Sequence, residues 1–213
     1  MLEVADEHGE VEFSITNTED YRQYISTAVS EIHVENGQLK KKPYTRDNIS
    51  TWEVEVHPAR TIVEKGFKKK FRVKYAQKID VGNTDKAYQI SFVPTPYFGE
   101  GSPSNTVKIA FGFAPIVIIP AKVTQPIEYE LNVIGDNIQV ENKGKTYFSL
   151  SIDGCDGVQN IVMKNECSIN ATLLAGRKMS FPIPSELKKQ NTLKARLVSH
   201  GAKFKVEAKV ARN

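Results

Sequence analysis

Hydrophobic and polar positions alternate along most of this chain with a period of two, the signature of half-buried β-strands. The longest such stretch runs from Asn105 to Pro120. In it Val107, Ile109, Phe111 and Phe113 alternate with Lys108, Ala110, Gly112 and Ala114, so bulky side chains fall on one face and small ones on the other. From Thr106 to Ile119 the run is more than twice the usual ~5–6 residues of a strand. One face of a sandwich strand normally feeds its own core. The excess length predicts that part of this strand offers its apolar face and backbone edge to another protein.

Further strand patterns cover Glu10 to Thr16, Tyr24 to Val34, Trp52 to Val56, Phe67 to Tyr75 and Ala87 to Val93. Turn signals at Asn36-Gly37, Lys65-Gly66, Gly82-Asn83 and between Glu100 and Pro103 separate them. A connector bracketed by Pro120 and Pro126 then leads to a second set: Ile127 to Ile134, Asn137 to Glu141, Thr146 to Ile152, Ile169 to Leu174, Lys178 to Ile183, Leu193 to Ser199 and Lys203 to Val210. Helical signal is confined to a turn or two over Ser185 to Gln190. The pattern predicts an all-β protein of two consecutive antiparallel sandwiches, residues 1–121 and 122–213, with 120–126 as the elbow. No internal repeat is legible.

Composition narrows the function classes. Twenty-nine Lys and Arg against twenty-five Asp and Glu give a net charge of +4, a mild excess that no helix-turn-helix or aromatic RNA motif accompanies, so nucleic acid is not an expected partner. No apolar run reaches the ~20 residues of a membrane helix, and Pro115 and Pro120 interrupt the most apolar segment, so no membrane insertion is expected. Residues 1–8 lack the basic and apolar regions of a signal peptide.

Candidate chemistry is sparse. His8, His33, His57 and His200 are scattered without metal-ligand spacing, and there is no nucleophile elbow, phosphate loop or dinucleotide fingerprint. The pattern argues against an enzyme, a cofactor and a metal. Lys40 to Lys42 and Lys68 to Lys70 read as solvated faces, the second continued by Arg72 and Lys74. Asn48-Ile-Ser50 and Asn170-Ala-Thr172 match a glycosylation triplet short enough to arise by chance. Cys155 and Cys167, with no second pair nearby, fall short of a four-ligand site. They leave two arrangements open, a disulfide closing a polar loop or two separate thiols.

The order of these segments resembles the periplasmic pilus chaperones, the PapD-like partners of outer-membrane ushers. The resemblance rests on Glu10 to Asn17, an early strand ending in Asn, on Trp52 to Pro58 followed by Glu64 to Lys74, on Ala87 to Pro94, and on the long strand Val107 to Pro120. In the second half it rests on Val140 to Phe148, Leu174 to Phe181 and a terminal strand pair. The likeness is greatest to the alternate branch serving fimbriae of the colonisation-factor type.

This resemblance implies two immunoglobulin-like sandwiches in a boomerang, located in the periplasm. The long strand would complement a pilus subunit that lacks its last strand, with Val107, Ile109, Phe111 and Phe113 entering the subunit's groove, before delivery to an outer-membrane usher. It also implies a Cys155–Cys167 disulfide in the second domain, and self-association to cover the exposed edge when no subunit is bound. Two features depart from the family. No Lys or Arg precedes Gly9, and Ala114 to Pro120 supplies no Lys, so the usual anchor for a subunit's terminal carboxylate is not carried over. The first strand is also shortened, and Met1 is expected to lie downstream of the natural mature terminus. Two other readings compete: an immunoglobulin-like pilus subunit or adhesin, although Met1 to Glu10 is too acidic for a donated extension, and a β-sandwich enzyme acting on carbohydrate.

Overall fold

The structure is a computed structural model that describes residues 1–76, 80–97, 111–155 and 167–211. The chain divides into two compact units. Unit 1 comprises Met1–Ile32, Lys41–Asp80 and Lys86–Ile119; unit 2 comprises His33–Lys40, Val81–Asp85 and Pro120–Asn213. No strand runs through 120–128.

Unit 1 holds β1 (Leu2–Val4), β2 (Glu10–Thr16), β3 (Gln23–Glu35), β4 (Gln38–Pro43), β5 (Val54–His57), β6 (Arg60–Val63), β7 (Lys68–Tyr75), β8 (Lys86–Pro96) and β9 (Ile116–Ile119), except that the end of β3 from His33 and the start of β4 up to Lys40 fall in unit 2. One sheet has the order β1-β9-β8-β3-β4 with β6 also on β3, and the other is β2-β7-β5. Alternation places Phe13 of β2, Phe71 and Val73 of β7, and Tyr88, Ile90 and Phe92 of β8 inside. Each such side chain contributes about 1.5–3 kcal/mol on burial. Phe92 is the junction: its ring meets Phe13 at 5.4 Å and Phe71 at 5.2 Å, both edge-on.

Sequence alternation locates β2, β3, β5, β7 and β8 to within three residues but misses three strands. The first, β1, is only three residues long, and β6 only four. The third, β4, reads Gln-Leu-Lys-Lys-Lys-Pro with every residue exposed, so no apolar face marks it. Of the long run, only Ile116–Ile119 is a named strand among the described residues; Val107 and Ile109 lie outside them.

Unit 2 contains β10 (Tyr129–Ile134), β11 (Asn137–Asn142), β12 (Phe148–Asp153), β13 (Ser168–Leu173), β14 (Lys178–Pro182), β15 (Thr192–Ser199) and β16 (Lys205–Ala211). They form the sheets β10-β11-β14 and β13-β12-β15-β16. Ile138 and Val140 from the first face Phe148, Leu150, Ile152 and Leu197 from the second. The helical turn expected near Ser185 is a 3-10 turn, Leu187–Lys189, whose Leu187 is fully buried. Cys155 and Cys167 are disulfide-bonded at the end of the β12–β13 pair, so of the two arrangements left open by the residues the bonded one is present.

The two units repeat one corner. At the end of β2, the Asn17 side chain is 1% exposed; its Nδ2 donates to the carbonyls of Tyr21 (2.8 Å) and Val63 (2.9 Å), and its Oδ1 accepts from Glu19 N–H (3.1 Å). At the end of β11, Asn142 is also 1% exposed; its Nδ2 donates to the carbonyls of Thr146 (2.9 Å) and Leu173 (3.0 Å), and its Oδ1 accepts from Gly144 N–H (2.9 Å). The backbone matches too: Gly66 N–H donates to Asn17 O, and Gly176 N–H to Asn142 O. Both glycines have a positive φ, +76° and +75°, which a side chain would strain. Sequence reading missed this repeat because it consists of one Asn and one Gly per unit set in unrelated surroundings.

Candidate functional site

The candidate donor segment changes character along its length. At its C-terminal end β9 lies between two neighbours, antiparallel to β8 and parallel to β1, with Ile116 opposite both Gln89 and Leu2. Val117, Ile118 and Ile119 are buried. Here the run is spent on the chain's own core, downstream of the expected donor positions, and β1, which sequence reading did not identify, covers the second backbone edge.

Upstream, the segment continues along β8. Ile90 N–H donates to Pro115 O (2.9 Å), Phe92 N–H to Phe113 O (2.8 Å) and Phe113 N–H to Phe92 O (3.2 Å). A Cβ on Gly112 would stand 2.9 Å from the Phe92 carbonyl, so glycine permits this close backbone approach. The Phe113 ring stacks on Phe92 at 4.9 Å and 23°, yet stays 40% exposed. Phe111 is 84% exposed. An aromatic series therefore leads from the core rings of Phe13 and Phe71 through Phe92 to Phe113 at the surface.

Phe111 and Phe113 line an opening of about 230 Å³ together with Ile15, Ile25, Phe92 and Pro94. Its polar margin is Thr16, Thr18, Glu19 and Gln23. The Asn17 corner fixes Thr18 and Glu19 there, because its Oδ1 holds the Glu19 N–H. An ion pair between Arg22 and Glu64 (2.9 Å), with Arg22 also 5.5 Å over the Tyr97 ring, lies farther along the same end. Of the four predicted donor residues, the structure brings Phe111 and Phe113 together at this opening. Sequence reading assigned no role to Ile15, Gln23 or Phe92; the alternation of Tyr88, Ile90 and Phe92 signals burial but not proximity to the opening.

A half-buried charged cluster of unit 1, built on Glu53, is structural in its geometry. Lys86 Nζ pairs with Glu53 Oε1 at 2.6 Å, and Tyr88 hydroxyl donates to Glu53 Oε2. Burial, with Glu53 beside it, pushes the Tyr88 hydroxyl far above the usual phenol range. Burial also works against the Lys86 charge, but Glu53 more than offsets it and the ammonium is held above its ordinary value. Both groups keep their protons at neutral pH, so the cluster ties β8 to the start of β5 without acid–base chemistry. Among the described residues no group of His, Cys, Asp and Glu is arranged to hold a metal, and no helix is long and apolar enough to cross a membrane.

No curated protein matches the chain by sequence. Solved structures match it over nearly its whole length at low identity. The class 5 fimbriae chaperone CfaA has a TM-score of 0.60 at 10% identity, covering 100% of this chain and 97% of its own. A chain of the CsuC–CsuE chaperone–tip adhesion subunit complex of archaic Csu pili from Acinetobacter baumannii has a TM-score of 0.58 at 11% identity, covering 98% and 93%. The Escherichia coli chaperone DraB has a TM-score of 0.55 at 11% identity, covering 98% and 92%. These likenesses establish the fold: two β-sandwiches as in chaperones of chaperone–usher pili. A profile of the CS5 fimbrial protein N-terminal domain matches residues 1–120, all of β1 to β9 and the aromatic opening they frame. By that match, which spans more than half of its length, the chain belongs to the CS5 fimbrial protein family.

Proposed function

We propose that this chain is a periplasmic chaperone that holds pilus subunits by donor-strand complementation and hands them to an outer-membrane usher. The observation that carries this reading is the end-to-end likeness to a fimbrial chaperone, 100% of this chain against 97% of that one. The aromatic opening of unit 1 supports it. The donor residues are Val107, Ile109, Phe111 and Phe113. Phe111, the most exposed large hydrophobic side chain of the described residues, gives a subunit groove its first anchor. Phe113 has a divided task, one ring face on Phe92 and the remainder for the partner.

Affinity then has two sources. Each large side chain moved from water into a groove contributes roughly 1.5–3 kcal/mol, and backbone bonds along the added strand fix its register. Neither source requires a reactive group, so the function is non-enzymatic. With no subunit bound, the same face favours self-association.

A second reading, an immunoglobulin-like fimbrial subunit, draws on the family's description as a fimbrial protein. It is the weaker one, because the likeness to CfaA extends through both units. Co-expression in the periplasm with class 5 fimbrial subunits tests the choice. The chaperone reading expects a soluble equimolar complex and a subunit that is degraded or aggregates when the chain is omitted. A subunit equally stable with and without the chain overturns it.

A further inference from the structure

Five polar residues are buried among the described residues, and four of them are bonded through their side chains. Asn17 and Asn142 hold the two corners, Thr146 Oγ1 donates to the Gln125 carbonyl (3.4 Å), and Ser199 Oγ accepts from the Phe204 N–H (2.9 Å). Gln23 is the exception. It is 8% exposed, yet its side-chain amide makes no hydrogen bond to any described residue.

The backbone fixes this position. As the first residue of β3, Gln23 is paired with Val63 of β6 and Pro96 of β8, and alternation puts its side chain on the same face as the buried Ile25. A core position thus carries an amide, and it borders the opening of about 230 Å³ beside Ile15, Ile25, Phe92 and Phe113. The other polar residues there, Thr16, Thr18 and Glu19, are exposed, so an occupant need not satisfy them. The Gln23 amide is not sealed from water in the way the unbonded Tyr75 hydroxyl is. An occupant that closes the opening takes that water away and must replace its bonds, or the amide is stranded. A purely apolar side chain leaves it stranded, and a charged tip is itself stripped of water beside the rings. An aromatic body with a neutral hydrogen-bonding tip meets both demands. Of the two such side chains, tyrosine both donates and accepts, as the amide does, whereas the tryptophan indole only donates. The size agrees, since a cavity of about 150 Å³ is enough for benzene.

We propose that this opening receives a tyrosine side chain of the held pilus subunit, its ring against Phe92 and Phe113 and its hydroxyl on the Gln23 amide. In naming the subunit as the source of the tyrosine, the proposal rests on the chaperone reading; the preference of the site for tyrosine does not. The contact runs opposite to strand donation: here the chain offers the cavity and the partner the side chain. Gln23 then sets which residue is accepted, and the rings supply contact without choosing between tyrosine and phenylalanine.

Titration of the full, disulfide-bonded, isotope-labelled chain with N-acetyl-tyrosinamide and N-acetyl-phenylalaninamide, followed by nuclear magnetic resonance, tests the site. The tyrosine compound binds about fivefold tighter or more, the worth of one added hydrogen bond, and it shifts the side-chain amide signal of Gln23, identified by its loss in Gln23→Leu. That variant keeps at least the wild-type urea midpoint, because it removes an unbonded amide from a core position, and it binds the two compounds alike. Equal affinities in the wild type, a Gln23 signal that does not move, or a preference unchanged in Gln23→Leu overturns the site, and the wild-type comparison stands without the variant. Co-expression with a class 5 fimbrial subunit tests the source, with Gln23→Leu retaining about fivefold less complex than wild type. Equal capture by both removes the subunit as the source and leaves the chaperone reading standing. A wild type that captures no subunit overturns both.

Discussion

The corners at Asn17 and Asn142 use the same four hydrogen bonds, yet they border different things. In unit 1 the residues that follow Asn17 form the polar rim of the opening where Phe111 and Phe113 are exposed. In unit 2 the residues after Asn142 lead straight into β12, whose end is tied by the Cys155–Cys167 disulfide. One scaffold is thus left open on an aromatic seam and the other is fastened. The proposed subunit-holding role attaches to what borders the corner of unit 1, and the shared corner itself is architecture.

The largest expected effect probes the shared part. Asn17→Ala and Asn142→Ala each strand two buried carbonyls and one N–H, which costs about 3–5 kcal/mol given the desolvation penalty of unmade bonds. Urea denaturation of the two variants should show similar losses. A loss below about 1 kcal/mol at either position breaks the equivalence of the corners.

Next comes the fastening that unit 1 lacks. Replacing Cys155 and Cys167 with Ala should cost roughly 3 kcal/mol on the chain-entropy account. The loss should be seen in the far-ultraviolet signal of unit 2, while the fluorescence of Trp52, the sole tryptophan and a residue of unit 1, keeps its midpoint. A Trp52 transition that moves as far as the rest contradicts the confinement.

The smallest effect is electrostatic and should be shared again. On the outer faces, Lys74 at 2.9 Å holds the Glu10 carboxyl below its usual range, and Lys143 at 2.8 Å does the same for Glu141. A depressed native pKa stabilises the fold above the ordinary value of 4.5 and loses that contribution as pH falls through the lowered one. Glu10→Gln and Glu141→Gln should therefore flatten the acid limb of the stability profile slightly and alike. A steeper acid limb in either variant gives the wrong sign.

Much of the fold was legible because alternation is a local property: β2, β7, β8, β12 and β15 announce themselves by which residues they bury. The short β1 carries too few residues to show a period, and β4 has no buried face at all. The site was less legible. One apolar run from Phe111 to Ile119 gives an exposed Phe111 at one end and a buried Ile119 at the other, and what sets the buried end apart is strand pairing with both β1 and β8. That is a tertiary fact, as is the closeness of Ile15 to Phe111 across the opening.

In the proposed mechanism Phe111 and Phe113, at the exposed aromatic end of this segment, serve a partner and not the chain's own core. The most direct test is Phe111→Asp, measured for stability by urea denaturation and for capture by co-purification with a class 5 fimbrial subunit. The variant should keep stability within about 0.5 kcal/mol of wild type, as for an exposed position, and lose the complex, since a charge set against an apolar groove is costly. A variant that unfolds, with capture falling only in proportion, or one that captures subunit as well as wild type, contradicts it.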